Sequence, residues 1–98
     1  MSNAAPASAA DFISGVRGQR VLVTAGASGI GYAIASTLTA LGARVFICDV
    51  AEAAIAEAKV QLPQLAACKA DVADEQEVEA MFGFVASELG GLDALINN

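Results

Sequence analysis

The chain has 98 residues, 56% of them hydrophobic and 16% charged, so it holds one domain at most, and one unusually rich in apolar residues for its length. Eleven acidic residues against five basic ones give a net charge of −6. The cations are scattered, which argues against a nucleic-acid partner, because neutralising phosphates requires clustered Lys and Arg. No apolar run approaches the roughly 20 residues that span a bilayer, so no membrane partner is expected.

The start, MSNAAPASAADFISG, has neither the basic beginning nor the strongly apolar centre of a secretory signal. Residues 1–17 show no sustained period and are expected to form a flexible arm, with residues 18–98 forming the folded part. Two cysteines, Cys48 and Cys68, show no metal-ligand spacing and there is no histidine. Free thiols and a cytoplasmic location are expected.

From Gly18 onward two patterns alternate. Arg20–Thr24 (RVLVT) is a short β-branched run that predicts a strand. Gly29–Leu41 places Ile30, Ala33, Ile34, Thr37, Leu38 and Leu41 at helical spacing, and Gly42 marks the stop. Arg44–Asp49 (RVFICD) predicts a second strand. Ala51–Leu62 carries a weak stripe of Ala51, Ile55, Ala58 and Leu62, and Pro63 bars its continuation. Leu65–Ala70 predicts a third strand. Asp74 followed by Glu77 forms a capping-box pattern, and Val78, Met81, Phe82, Val85 and Leu89 then line one helical face until Gly90–Gly91. Leu92–Asn97 (LDALIN) predicts a fourth strand. The strands are apolar on both faces, as in a parallel sheet covered by helices. A βαβαβαβ, doubly wound α/β unit of the Rossmann type is therefore expected.

The first strand-to-helix junction reads Thr24-Ala25-Gly26-Ala27-Ser28-Gly29-Ile30-Gly31. The first N–H groups of a helix lack intrahelical partners, and the helix dipole adds positive potential there. Glycine at Gly29 and Gly31 lets backbone approach a pyrophosphate without an intervening Cβ, and Gly31 also permits close helix–sheet packing. The Ser28 hydroxyl could add a donor to a phosphate. Asp49 lies 20 residues past Gly29, at the tip of the second strand. An acid there can accept both hydroxyls of an adenosine ribose. The strict Gly-x-Gly-x-x-Gly string is not present, and it is this combined context that points to a dinucleotide.

From Gly18 to Asn98 the sequence resembles the classical branch of the short-chain dehydrogenase/reductases. The family's Thr-Gly-x-x-x-Gly-x-Gly fingerprint aligns with Thr24, Ala25, Gly29, Ile30 and Gly31. KADV places Asp71 and Val72 where the family holds the adenine, and LINN places Asn97 and Asn98 at the first half of its Asn-Asn-Ala-Gly motif. The Gly-x-x-Gly-x-x-Gly spacing of the family's extended branch fits less well. The resemblance implies a strand order of 3-2-1-4. Ala25 departs from the pattern by replacing the first glycine. A negative φ is expected at Ala25, with Gly26 absorbing any unusual backbone angle.

The cofactor implied is NAD in preference to NADP. Asp49 is followed by Val50, Ala51 and Glu52, and the glycine loop carries Ser28 rather than a basic residue, so a 2′-phosphate would meet a carboxylate without a counter-charge. The resemblance implies hydride transfer between a nicotinamide and an alcohol or carbonyl substrate, in a homo-oligomer. The family's catalytic Ser and Tyr-x-x-x-Lys pair find no match here. Tyr32 is the only tyrosine and is followed four positions on by Ser36. The expectation is the N-terminal part of a longer oxidoreductase with no catalytic residue of its own. The competing reading is a truncated dinucleotide-binding or structural half-domain without catalysis.

Overall fold

The computed structural model describes residues 15–98. Residues 1–14 of the expected arm lie outside the described residues. Just after them, Val16 packs against the core, and its carbonyl accepts from the Gln19 N–H at 3.0 Å.

Four strands, β1 (Arg20–Thr24), β2 (Arg44–Asp49), β3 (Ala66–Lys69) and β4 (Ala94–Ile96), alternate with α1 (Gly29–Ala40), α2 (Glu52–Gln61) and α3 (Glu75–Leu89). The strands form one parallel sheet in the order β3-β2-β1-β4, the doubly wound order that the family resemblance implies. Side chains alternate along each strand, so every central strand feeds two cores. Val21, Val23, Val45 and Ile47 pack with Ala35 of α1 and Ala58 of α2 on one face. Leu22, Phe46 and Cys48 pack with Met81, Val85 and Leu89 of α3 on the other. This double coverage is why RVLVT and RVFICD read as continuous apolar runs.

Phe82 departs from expectation. The helical stripe predicts it buried on α3, but it remains 41% exposed. Met81, Val85 and Leu89 already define the inward face, and Phe82, one residue on, is rotated about 100° from Met81.

The helix ends are set by identifiable groups. Asp74 Oδ1 accepts from the Gln76 and Glu77 N–H groups at 2.9 and 3.2 Å. The reciprocal arm of the capping box is redirected. The Asp74 N–H already donates to the Asp71 carbonyl, so Glu77 Oε1 accepts instead from the Asp71 N–H at 3.1 Å. At the other end Gly90 takes a left-handed φ of +76°, and the Arg44 guanidinium donates to the Glu88 and Leu89 carbonyls.

β4 is shorter than expected because both of its flanks are engaged elsewhere. Asp93 takes a bidentate pair from Arg20, Nε to Oδ2 and Nη2 to Oδ1, each at 2.9 Å, and also accepts from the Arg20 N–H. Asn97 and Asn98 turn towards the loop after β1. Cys48 is buried and Cys68 half-buried, both free. They sit opposite one another in the β2–β3 register, and burial is the main cause that pushes both thiols up from their ordinary pKa. Among the described residues no helix is long and apolar enough to cross a membrane.

Candidate functional site

Because all four strands run parallel, their C-terminal ends gather at one edge. The chain goes from β1 towards β3 on one side and places β4 on the other, so the crevice beside the end of β1 is the topological switch point of the sheet. Thr24, Asp49, Asp71 and Asn97 all lie at or just beyond these strand ends.

Thr24 is buried, and its hydroxyl joins the switch point together. It accepts from the Asn98 N–H at 3.0 Å and lies 3.3 Å from Asn97 Oδ1 and 3.4 Å from the Ile96 carbonyl. Asn98 Nδ2 in turn donates to the Ala25 carbonyl at 3.2 Å. The two asparagines therefore clamp the end of β4 to the glycine loop.

The loop corrects the expectation for Ala25. Its φ is +50°, whereas Gly26 has no positive φ. Gly26 is required for space instead: a Cβ there would fall 2.6 Å from Ile47 Cγ2 and 2.9 Å from the Val23 carbonyl. The Gly26 N–H donates to the Cys48 carbonyl at 3.1 Å, locking the loop down on β2. The turn angle thus falls on Ala25, in a region that disfavours a side chain by roughly 1–2 kcal/mol. Gly31 fits its expected packing role, since a Cβ there would collide with the Ala25 carbonyl. Gly29 has φ +58° and faces open space.

Ser28 is the N-cap of α1 in extended conformation, but its side chain makes no capping hydrogen bond, and the first turn carries no acid. The first turn of α1 is therefore left without a capping side chain or an acid of its own. Ile30, 75% exposed, projects beside it.

Asp49 faces this helix start. Its Oδ2 accepts from the Ala27 N–H at 3.2 Å and its Oδ1 from the Ala51 N–H at 3.1 Å. A carboxylate has about four acceptor sites, so each oxygen keeps capacity for a hydroxyl. Val50 follows, exposed. Asp71 Oδ1 accepts from the Ala73 N–H at 2.9 Å in a tight turn, with Val72 exposed beyond it. The donors at the start of α1, the open approach at Gly29 and the partly free carboxylate of Asp49 fit a dinucleotide's phosphates and ribose.

Two features escaped the sequence. Lys69 is the register partner of Asp49 and, by strand alternation, projects from the same face of the sheet. Register between β2 and β3 cannot be read from either strand alone. Tyr32 donates its hydroxyl to Gln61 Oε1 at 3.0 Å, linking α1 to α2.

Residues 19–98 match the family described as short chain dehydrogenase. Over 78 residues the chain is 44% identical to an uncharacterized oxidoreductase, DltE, of Bacillus subtilis, covering 80% of this chain and 31% of that protein. It is 35% identical to the 7alpha-hydroxysteroid dehydrogenase of Escherichia coli, covering 83% and 33% respectively. The crystal structure of a hydroxysteroid dehydrogenase from Escherichia coli superposes with a TM-score of 0.80 at 33% identity, covering 85% of this chain and 37% of that one. An actinorhodin polyketide ketoreductase variant crystallised with NADPH gives a TM-score of 0.80 at 33% identity, covering 83% and 33%. The chain spans about a third of the length of the first curated relatives it matches. Family match, sheet order and glycine-loop geometry agree: the chain belongs to the short-chain dehydrogenase/reductase family.

Proposed function

We propose that these residues form the adenosine-binding half of a nicotinamide-dinucleotide site, in an oxidoreductase that moves hydride between the nicotinamide and a small alcohol or carbonyl substrate. The observation that carries the reading is the pairing of an uncapped α1 start with Asp49, whose carboxylate is pinned by the Ala27 and Ala51 N–H groups. In this reading the N–H groups at Gly29–Gly31 and the Ser28 hydroxyl hold the pyrophosphate, and Asp49 holds the adenosine ribose. Asp71 and Val72 border the adenine, and Val50 flanks it. Thr24, Asn97 and Asn98 keep the loop and β4 in register with one another. The bound dinucleotide supplies the hydride acceptor or donor; residues 15–98 bind and orient it. The proton-transfer groups are proposed to lie outside this sequence, since Tyr32, its only tyrosine, has Ser36 rather than a lysine four positions on.

NAD is proposed over NADP because Asp49 would repel a 2′-phosphate. Lys69, beside Asp49 in register, favours the opposite choice, and the ketoreductase crystallised with NADPH keeps that second reading in view. Titration calorimetry on the full gene product separates them. NAD binding more tightly than NADP, with Asp49→Ala weakening NAD and narrowing the gap, supports the proposal. Equal affinities in the unaltered protein contradict it.

A further inference from the structure

A groove of about 210 Å³ runs between α1 and α2, lined by Ala27, Ser28, Tyr32, Glu57, Ala58 and Gln61. Ala58 is buried and fixes α2 against the sheet, and the Tyr32–Gln61 hydrogen bond spans the two helices. Ala27, on the groove wall, is the residue whose N–H binds Asp49 Oδ2. The groove is therefore joined through Ala27 to the carboxylate proposed to hold the ribose, although Asp49 itself does not line it. Its lining offers neutral hydroxyl and amide groups from Ser28, Tyr32 and Gln61, and one charged side chain, Glu57. Lys69 stands on the far, β3 side of Asp49 and does not line it.

We propose that Glu57 is a second determinant of cofactor choice: facing Ser28 across this groove, it disfavours a nucleotide that carries a 2′-phosphate. The inference rests on the reading that Asp49 receives the adenosine ribose. A substituent on the ribose 2′ oxygen that leans towards Ser28 enters the groove, and its charge then meets the Glu57 carboxylate. At a separation of one physiological Debye length, about 8 Å, a phosphate of charge near −2 is repelled by a carboxylate in water-like surroundings by an amount equal to a two- to fivefold change in affinity, depending on salt. The Gln61 amide keeps its N–H donors, since only its Oε1 is taken by Tyr32, so removing or reversing the one negative charge leaves a donor for the phosphate.

The test measures NAD and NADP dissociation constants by calorimetry for the full gene product and for Glu57→Gln and Glu57→Arg, at low and at 0.5 M salt, with thermal melts to confirm folding. Glu57 is exposed, so both variants are expected to fold. Glu57→Gln should tighten NADP about two- to fivefold at low salt and leave NAD unchanged. The gain should shrink at high salt, and Glu57→Arg should exceed it. NADP affinity unchanged in both variants, or NAD and NADP shifting together, overturns the inference. Preference for NADP in the unaltered protein would count against the role of Asp49, whereas the change on Glu57→Gln reports on Glu57 whichever cofactor is preferred.

Discussion

Replacing Ala25 with glycine should stabilise the fold, against the usual direction for a glycine substitution. Ala25 holds φ at +50°, where an L-residue is disfavoured by roughly 1–2 kcal/mol. Glycine removes that strain but widens the unfolded ensemble, which offsets about 0.4–1 kcal/mol. The Ala25 carbonyl keeps its bond from Asn98 Nδ2, because the backbone need not move. The net is a gain of about 0.5–1 kcal/mol, or roughly 2–8 °C in melting temperature for a chain of this size. Urea denaturation gives the sign directly as a rise in midpoint at constant slope. Ala56→Gly, at an exposed position inside α2, serves as the control and should lose about 1 kcal/mol. If Ala25→Gly loses stability like the control, the left-handed assignment of Ala25 is wrong.

Asp74→Ala removes the acceptor for two N–H groups at the start of α3 and should lower stability by about 1 kcal/mol, read as a lower urea midpoint. The Arg20 guanidinium and N–H hold the Asp93 carboxyl down at about 2, below its ordinary 3.8. That contribution is fully present above the ordinary value and is lost as pH falls through about 2. The melting-temperature gap between the unaltered chain and Asp93→Asn should therefore be constant near pH 6 and narrow below pH 4. A gap independent of pH would contradict the pairing. β4 stands at one edge of the sheet with Leu95 half-exposed and is not blunted by proline or a bulge. The 98 residues expressed by themselves should self-associate, as light scattering would detect; a stable monomer at ~100 μM, where exposed edges associate, would refute this.

The elements and both apolar faces were legible because each strand is bounded by a helix stop or cap with a specific residue, Gly42, Pro63, Asp74 and Gly90, whereas the sheet order was legible only through the family resemblance. The placement of Asp49 at a strand end was legible from spacing, and that of Asp71 and the asparagines from the family motifs they match. What the sequence could not supply was three-dimensional competition. Glycine at Gly26 suggests a residue that absorbs an unusual angle, yet it is needed for space against Ile47 on the neighbouring strand, and the positive φ falls on Ala25. Phe82 fitted a helical stripe, but α3 faces the sheet along Met81, Val85 and Leu89. Glu77 matched a capping box, but the Asp74 N–H was already bound. Lys69 and Glu57 approach the site only through strand register and helix packing.

The central claim is that the start of α1 and Asp49 together receive the phosphates and ribose of a nicotinamide dinucleotide. A crystal structure of the full gene product grown with NAD tests it most directly. The account predicts pyrophosphate oxygens within hydrogen-bond distance, about 2.7–3.2 Å, of N–H groups between Ser28 and Gly31, and both adenosine ribose hydroxyls on the Asp49 carboxylate. NAD bound elsewhere, or with its ribose turned away from Asp49, would contradict it.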